Sequence, residues 1–243
     1  MNETLDVIYK RKSVRAYEDR PIDKETKALL FKAAFSAPTA GNQQLYSIID
    51  VTDQKKKEAL SLSCDNQPFI AKAPMVVVFC ADCKKWYDAF CEAGAKPRKP
   101  DVGDLMLAVD DAVIAAQTMV LAAESLGIGS CYIGDIMENR ETQREILNLP
   151  PYVFPACMLV LGYPTLQQKE RIPPKRVDGK FVVFENGYHE IKSDELREMF
   201  NERCGVRGYD DWMQAFCKRK YDSDFSREMS RSVKEYIEKD FSD

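Results

Sequence analysis

Apolar residues recur at helical spacing along much of the chain, and these repeats predict the first set of structural elements. Helices are predicted at residues 3–11, 23–36, 54–62 and 140–147. In the second of these, Asp23 is a typical N-cap for a helix that ends near Ser36. The residues expected on its inner face are Leu29, Leu30, Ala33 and Ala34.

Short runs rich in β-branched and other apolar residues predict strands between these helices. We expect strands at residues 45–51, 74–80, 130–133 and 156–161, and a short one at 181–184. The run from Met75 to Phe79 is apolar at every position, which is typical of a strand that is buried on both faces.

The longest predicted helix runs from Asp104 to Leu126 and is apolar on nearly all sides. At 1.5 Å per residue it would span roughly 35 Å, about the width of a domain. We expect it to form the spine of the core and to be shared with a second subunit. A membrane span is not expected, because polar groups in hydrocarbon are costly and the segment contains Asp110, Asp111, Gln117, Thr118 and Glu124.

Composition narrows the class of protein. The 243 residues suffice for one large domain or two small ones, and 35 basic against 39 acidic side chains give a net charge of −4. A generic nucleic-acid binder is therefore not expected, and any anion site must be a local cluster of cations. The acidic N-terminus lacks a signal-peptide pattern, so we expect a cytoplasmic protein whose eight cysteines are free thiols.

The last part of the chain has a different character. Residues 165–180 are predicted to be a loop rich in proline and cations. Residues 193–240 predict two or three charged helices with few apolar positions, which need another surface to pack on. We therefore expect a domain at residues 1–192 and a helical extension at 193–243 that packs on the core or on a partner subunit.

A dense group of cations lies near the N-terminus. Lys10, Arg11, Lys12, Ser13 and Arg15 fall within six residues that contain no acid. Guanidinium and hydroxyl donors of this kind suit a phosphate. A solvated basic patch at a helix end is the alternative. A second pair of cations, Lys175 and Arg176, could form another phosphate contact.

Two further segments have a polar or glycine-rich turn. Residues 37–44 carry amides and a hydroxyl that could bind the edge of a heterocycle, or could be an ordinary polar loop. Residues 127–134 contain a Gly-x-Gly pattern, but it ends a predicted helix and begins a strand. A dinucleotide-binding loop has the reverse order, so we exclude a Rossmann site here.

Nucleophile and metal chemistry has little support in the sequence. His189 is the only histidine, and no partner for a catalytic triad is evident. Cys80 and Cys83, with Cys91 further along, could indicate a zinc or redox site, but no second ligand pair follows. No catalytic side chain and no metal site are predicted. A redox sensor that uses Cys80 and Cys83 without turnover remains the alternative.

The order and spacing of these short motifs are more specific than any of them alone. The chain resembles the FMN-dependent nitroreductase family as far as about residue 190, in its larger flavin reductase and NADPH-nitroreductase branch. The matching segments are Arg-Lys-Ser-Val-Arg-Ala-Tyr at 11–17, Ala-Pro-Thr-Ala-Gly-Asn-Gln-Gln at 37–44, and residues 67–74, 78–82, 127–134, 147–150, 159–164 and 175–176. Lys12 stands where the family often has Arg, and Leu45-Tyr46 replaces a frequent Pro-Trp.

The resemblance implies an α+β fold in which helices flank a mixed, mainly antiparallel sheet, with the long helix at the interface of a homodimer. It implies FMN as cofactor, bound to the following residues: Arg11, Lys12, Ser13, Val14, Arg15, Thr39, Ala40, Asn42, Gln44, Gln67, Pro68, Phe69, Tyr132, Ile133, Gly134, Asp135, Lys175 and Arg176. Thr39, Ala40 and Asn42 would come from the second subunit.

The resemblance also implies the reaction. NADH or NADPH would pass a hydride to flavin N5, and a nitroaromatic, quinone or flavin acceptor would then take two electrons. Lys12 or Gln67 would stabilise negative charge on the reduced ring. Arg203, Arg207 or Arg227 would offer charge to the NADPH 2′-phosphate. Other FMN reactions in the wider superfamily, such as dehalogenation, stay open, and neither a membrane nor a nucleic acid is implied.

Overall fold

A computed structural model describes residues 2–241, and its centre is a four-stranded sheet. The strands are β1 (Tyr46–Asp50), β2 (Met75–Asp82), β3 (Gly129–Ile133) and β4 (Val153–Gly162). Their order across the sheet is β1-β2-β4-β3, and every neighbouring pair is antiparallel. The expected α+β class with a mainly antiparallel sheet is confirmed.

Helices precede, connect and follow these strands. They are α1 (Glu3–Lys10), α2 (Lys24–Phe35), α3 (Gln54–Ser63), α4 (Pro68–Lys72), α5 (Lys84–Glu92), α6 (Val102–Ser125), α7 (Arg140–Leu147), α8 (Leu166–Glu170), α9 (Ser193–Cys204), α10 (Tyr209–Lys220) and α11 (Asp224–Asp240). The Asp23 carboxylate caps α2 by accepting a hydrogen bond from the Thr26 N–H, as the sequence predicts.

Strand β2 divides the core into two layers because its side chains alternate between the two faces of the sheet. Met75, Val77, Phe79 and Ala81 contact the layer built around α6. Val76, Val78 and Cys80 contact the opposite layer, to which α3, α4 and α7 contribute Leu60, Ile70 and Leu147. Burial on both faces explains why this strand is apolar at every position.

Helix α6 does not have the same environment on all sides. Small residues such as Ala108, Ala112, Ala115 and Ala116 are buried against the sheet. Leu107 and Ile114 are 51% and 41% exposed, so within one chain the helix is not enclosed as expected. Among the described residues α6 is a helix long and apolar enough to cross a bilayer, but its apolar residues serve here to pack the core.

Three local predictions are wrong. Leu29, expected to face inward, is 56% exposed, and only Leu30 and Ala34 of α2 are buried. The strand expected at 181–184 is absent, since the Asp178 carboxylate accepts a hydrogen bond from the Lys180 N–H and starts a short 3₁₀ turn over Gly179–Phe181. The loop expected at 165–180 contains the one-turn helix α8.

The chain forms two compact units, and their limits differ from the predicted division at residue 193. The core unit comprises Met1–Ile172 and Glu228–Asp243, and the second unit is Pro173–Arg227. The difference arises because most of α11 belongs to the core. Tyr236 is fully buried and meets the Phe154 ring edge to face at 4.9 Å.

Polar contacts also hold α11 to the core unit. The Asp240 carboxylate accepts hydrogen bonds from the Arg140 guanidinium and pairs with Arg144. Ser232 Oγ accepts from the Arg140 N–H and donates to the Met137 carbonyl. Most of helix α11 therefore belongs to the core unit.

The second unit, taken by itself, is organised by aromatic contacts between α9 and α10. Trp212 stacks on Phe216 with 4.8 Å between ring centroids, and the Phe200 ring centroid of α9 lies 6.3 Å from that of Trp212. An exposed ion pair joins Arg197 of α9 to Asp210 of α10.

Candidate functional site

The cation-rich segment leaves α1 as extended chain and runs beside the edge strand β3. Arg11 caps α1 with extended backbone angles (φ −57°, ψ 134°). Ser13 then forms an isolated parallel bridge with Ser130, and the Val14 N–H donates to the Ser130 carbonyl at 2.9 Å. The segment is thus fixed by backbone hydrogen bonds, which leaves its polar side chains available for other contacts.

Two glycines of the sheet allow this close approach. A Cβ on Gly129 would lie 2.5 Å from Val14 Cγ2, and one on Gly162 would lie 2.7 Å from the Tyr17 ring. The Tyr17 hydroxyl donates to the Val14 carbonyl at 2.7 Å. Burial raises the pKa of Tyr17 well above its usual value, so the hydroxyl remains a donor.

Arg11, Ser13 and Arg15 converge on Cys131 of β3. Burial raises the pKa of the Cys131 thiol, while Arg15, Ser13 and Arg11 oppose the rise. The Arg15 guanidinium also lies 6.0 Å from the centroid of the Phe69 ring. No acid in residues 2–241 forms an ion pair with Arg11, Lys12 or Arg15. The structure therefore brings together part of the predicted set as uncompensated donors.

Lys12 points to a neighbouring cavity. Its ammonium donates to the Lys169 carbonyl at 2.7 Å, beside a cavity of about 250 Å³ that Glu124 also lines. Burial raises the pKa of Glu124, and Arg11 and Lys12 counteract that rise. Lys12 thus lies near the cluster on a separate side of the segment.

Residues 168 and 171 contact the cation segment although the sequence did not single them out. Gln168 Oε1 accepts from the Arg15 N–H at 3.4 Å and from Arg171 Nη1 at 3.0 Å. Arg171 Nη1 also donates to the Ser13 carbonyl at 3.4 Å. The density of cations at 165–180 was the available signal, but it did not indicate which of them lies at the segment.

The segment before α4 holds Gln67 at the N-cap position, with Pro68 as the first helical residue. Gln67 Nε2 donates to the Cys64 carbonyl at 2.9 Å. Asp65 and Asn66 have positive φ of 57° and 50°, so the turn that presents Phe69 to Arg15 is tight.

The end of β3 carries the next predicted group. Burial, aided by Cys157, raises the pKa of Tyr132, and Arg11 opposes the rise. Ile133 ends the strand, and a 3₁₀ turn follows over Gly134–Met137. Asp135 in that turn helps burial to raise the pKa of Glu138 to about 7.

The 39–44 loop lies at the opposite corner of the sheet. Tyr46 at the start of β1 is level with Phe154, whereas Ser130 is level with Leu161. Standard strand spacings put these corners roughly 14 Å apart across the sheet and about 24 Å apart along it. One chain therefore does not bring Thr39, Ala40, Asn42 and Gln44 to its own cation cluster.

Asp111 of α6 anchors this loop, and sequence reasoning missed it. Its Oδ1 accepts from the Ala40 N–H at 2.9 Å and its Oδ2 from the Leu45 N–H at 3.0 Å. The signal available in the sequence was an acid in an otherwise apolar helix.

The remaining candidates, Lys175, Arg176 and His189, belong to the second unit. Within that unit Lys175 pairs with Glu202. His189 is exposed beside Glu195.

The cysteine alternative gains no support from the structure. Burial raises the pKa of Cys80 strongly and that of Cys83 to about 12, so both are poor nucleophiles. Residues 2–241 contain no group of three or more His, Cys, Asp or Glu side chains that could hold a metal.

Comparison with known proteins gives the wider context. Residues 8–163 match the sequence profile of the Nitroreductase family. The chain is 35% identical to the FMN reductase (NADPH) of Bacillus subtilis over 83% of this chain and 80% of that one. It is 32% identical to the oxygen-insensitive NADPH nitroreductase of Salmonella typhimurium over 84% of this chain and 81% of that one.

A solved structure agrees over nearly the full length. The NfrA1 nitroreductase of B. subtilis superposes with a TM-score of 0.82 at 31% identity and covers 97% of this chain and 98% of its own. The matched profile begins before the cation segment and ends just after β4, so it spans the sheet and the cluster beside it. The chain belongs to the nitroreductase family.

Proposed function

We propose that this protein is an FMN-dependent NAD(P)H oxidoreductase that reduces nitroaromatic, quinone or flavin acceptors. The observation that carries the proposal is the convergence of Arg11, Ser13 and Arg15 beside β3, where no carboxylate in residues 2–241 forms an ion pair with either arginine. Relatives over most of the chain are an FMN reductase and an NADPH nitroreductase, which supports the same reaction class.

The donor set fits FMN. A phosphate ester takes charge-assisted hydrogen bonds from guanidinium and hydroxyl groups, and the cluster supplies both next to the aromatic face of Phe69. Glu124, a carboxylate whose pKa Arg11 and Lys12 lower, has its pKa raised by burial, which weakens its competition for the cations. The residues present therefore suit an anionic group attached to a planar ring.

Roles follow for the predicted residues. The phosphate and ribityl chain would be held by Arg11, Lys12, Ser13, Val14 and Arg15. Arg171, which donates to the Ser13 carbonyl, would be a further cation at this segment. Gln67, Pro68 and Phe69 would meet the pyrimidine side, and residues Tyr132, Ile133, Gly134 and Asp135 the long edge of the ring. Lys175 and Arg176 would close over the phosphate.

FMN, when bound, supplies the redox chemistry, and this chain supplies binding and electrostatics. Lys12 or Gln67 would stabilise negative charge on the ring. The Lys12 ammonium donates to the Lys169 carbonyl and Gln67 Nε2 to the Cys64 carbonyl, so each would have to exchange or share that hydrogen bond. No catalytic acid or base is assigned.

A homodimer is part of the proposal. The 39–44 loop and the cation cluster lie at opposite corners of one sheet, so a single chain does not complete a site that uses both. An apolar surface is available for a second copy on α1 and α6, which expose Ile8, Tyr9, Met106, Leu107 and Ile114. A cytoplasmic location is also proposed, since all eight cysteines are free thiols.

The test is an absorption spectrum of the purified protein before and after NADH and NADPH are added in turn. We expect a yellow protein that releases FMN on denaturation, bleaches with at least one reductant, and recovers when a quinone or nitroarene is added. A protein that stays colourless after incubation with FMN would overturn the proposal.

A further inference from the structure

Asp111 is a buried carboxylate that accepts hydrogen bonds from the backbone of a distant loop. The side chain is on α6 and the residue is 3% exposed. Its two oxygens accept one N–H each, from Ala40 and from Leu45. No lysine or arginine in residues 2–241 forms an ion pair with it. Burying a carboxylate without a cationic partner is costly. Its hydrogen bonds therefore indicate that it stabilises a conformation that apolar packing alone would not.

The segment that Asp111 holds has an unusual backbone. Gly41, Asn42 and Gln44 all have positive φ, at 56°, 58° and 50°. Two of the three carry a side chain, which makes this conformation unfavourable unless its surroundings impose it. The Asp111 carboxylate accepts hydrogen bonds from residues at both ends of the segment and so holds the two ends together.

Exposed apolar residues lie on α6 one helical turn away from Asp111. Leu107 and Ile114 are one helical turn before and after Asp111, and both remain exposed in the single chain. Helix α6 therefore anchors the loop through Asp111. The exposed side chains next to Asp111 form the surface proposed to bind the second copy. The loop and that surface are held by one rigid element.

We propose that Asp111 is a positioning residue for the FMN of the partner subunit. It fixes the 39–44 loop of its own chain in the conformation in which Thr39, Ala40 and Asn42 reach the flavin held by the other chain. The inference rests on the proposed function, including its homodimer. Asp111 itself touches backbone only, so its effect on the cofactor passes through the loop.

The first experiment compares Asp111→Asn with Glu145→Gln by titrating FMN into the apoproteins. The asparagine keeps one acceptor and turns an amide donor toward the second N–H, so we expect FMN to bind about ten- to a hundredfold more weakly. Glu145 is an exposed carboxylate on α7, outside the surface proposed for the second copy, and serves as the matched control with unchanged FMN affinity. Equal affinity in the Asp111→Asn protein would overturn the proposal.

The second experiment tests whether the effect crosses the interface. Chains with Arg15→Ala and chains with Asp111→Asn carry different affinity tags, and mixed dimers are isolated. If Asp111 serves the partner's site, both defects fall in one site and the other is intact. The mixed dimer then binds one FMN per dimer at wild-type affinity, measured by flavin absorbance. If Asp111 serves its own site, no intact site forms, and the proposal is overturned.

Folding and function are separated by the same preparations. Far-UV circular dichroism and dimer mass are measured for Asp111→Asn and for Asp111→Glu, which retains the carboxylate. If neither variant forms a folded dimer, Asp111 is a folding residue and the proposal is overturned. If the wild-type protein binds no FMN, the proposed function fails. If it binds FMN and the mixed dimer lacks an intact site, only the role of Asp111 fails.

Discussion

Val14 and Gly129 lie in direct contact, and the Val14 Cγ2 methyl group occupies space that a side chain on Gly129 would need. A Cβ there would be 2.5 Å from that methyl group and 2.8 Å from Val14 Cβ. Val14 is buried, and its N–H is bonded to Ser130. The cation segment therefore depends on the absence of a side chain in β3.

Gly129→Ala should displace the cation segment, because neither Val14 nor the strand can move without breaking their hydrogen bonds. Overpacking of this kind lowers the free energy of unfolding by about 1–3 kcal/mol. Urea denaturation of the apoprotein measures it, and Val14→Ala in the same chain should restore part of the loss. Gly103→Ala is the control, since no atom lies within 4 Å of its Cβ position. A Gly129→Ala protein as stable as wild type would contradict the contact.

Arg15→Ala should weaken FMN binding while the fold remains intact. The guanidinium is exposed beside Cys131 and Phe69, and loss of one charge-assisted hydrogen bond lowers affinity about ten- to a hundredfold. Flavin titration of the apoprotein measures the change. Lys10→Ala removes a cation that faces Asp6 on α1, and it should leave the affinity unchanged. Unchanged affinity in Arg15→Ala would refute the role assigned to Arg15.

Asp240→Ala should destabilise the core unit strongly, since it leaves the guanidinium groups of Arg140 and Arg144 unpaired. Removing one partner of a buried ion pair costs about 3–5 kcal/mol of unfolding free energy. Asp88→Ala breaks an exposed pair with Lys84 and should cost less than about 1 kcal/mol. Similar losses in both variants, measured by chemical denaturation, would show that α11 is not part of the core.

Glu138 should make stability fall as pH rises from about 4.5 to 7. Burial, aided by Asp135, Asp65 and Glu228, raises its pKa from 4.5 to about 7 in the folded protein. The folded state then holds this proton more tightly than the unfolded state, so stability from the protonated carboxyl is full below the unfolded pKa and is lost as pH rises through the folded pKa.

Glu138→Gln should therefore reduce the decline in stability between these pH values and make the protein more stable than wild type above pH 7, by at most about 3 kcal/mol. Denaturation midpoints measured at several pH values for both proteins give the difference. Parallel profiles for wild type and variant would mean that Glu138 is ionised throughout.

Alkylation of the native protein should separate the cysteines by burial. Cys91 and Cys217 are exposed and should react first with iodoacetamide, whereas Cys80 and Cys83 are buried with raised pKa values. Mass spectrometry of the digested protein measures the order. Fast labelling of Cys83 would revive the redox-sensor alternative.

Elements whose apolar pattern is long and regular could be predicted from sequence. Helix α6, predicted at Asp104–Leu126, spans Val102–Ser125, and the uninterrupted apolar run at Met75 became the central strand β2. The strand expected at 181–184 failed because the pattern was only four residues long. A local hydrogen bond from the Lys180 N–H to the Asp178 carboxylate was enough to override it.

The site was predictable only as far as local motifs reach. The cations at 11–15 could be recognised because they are adjacent in the chain. Cys131, Arg171 and Asp111 could not, since each acts on residues between 66 and 158 positions away. Such contacts depend on strand order and register, which neither composition nor spacing encodes in a single sequence.

The return of α11 to the core unit has a consequence for how this protein can vary. Residues 173–227 are bounded on both sides by chain that belongs to the core. A stretch attached at two ends samples far fewer arrangements than a free tail of equal length, because the closure entropy is already spent. Evolution can therefore lengthen, shorten or replace residues 173–227 as one insertion, while α11 still completes the core unit.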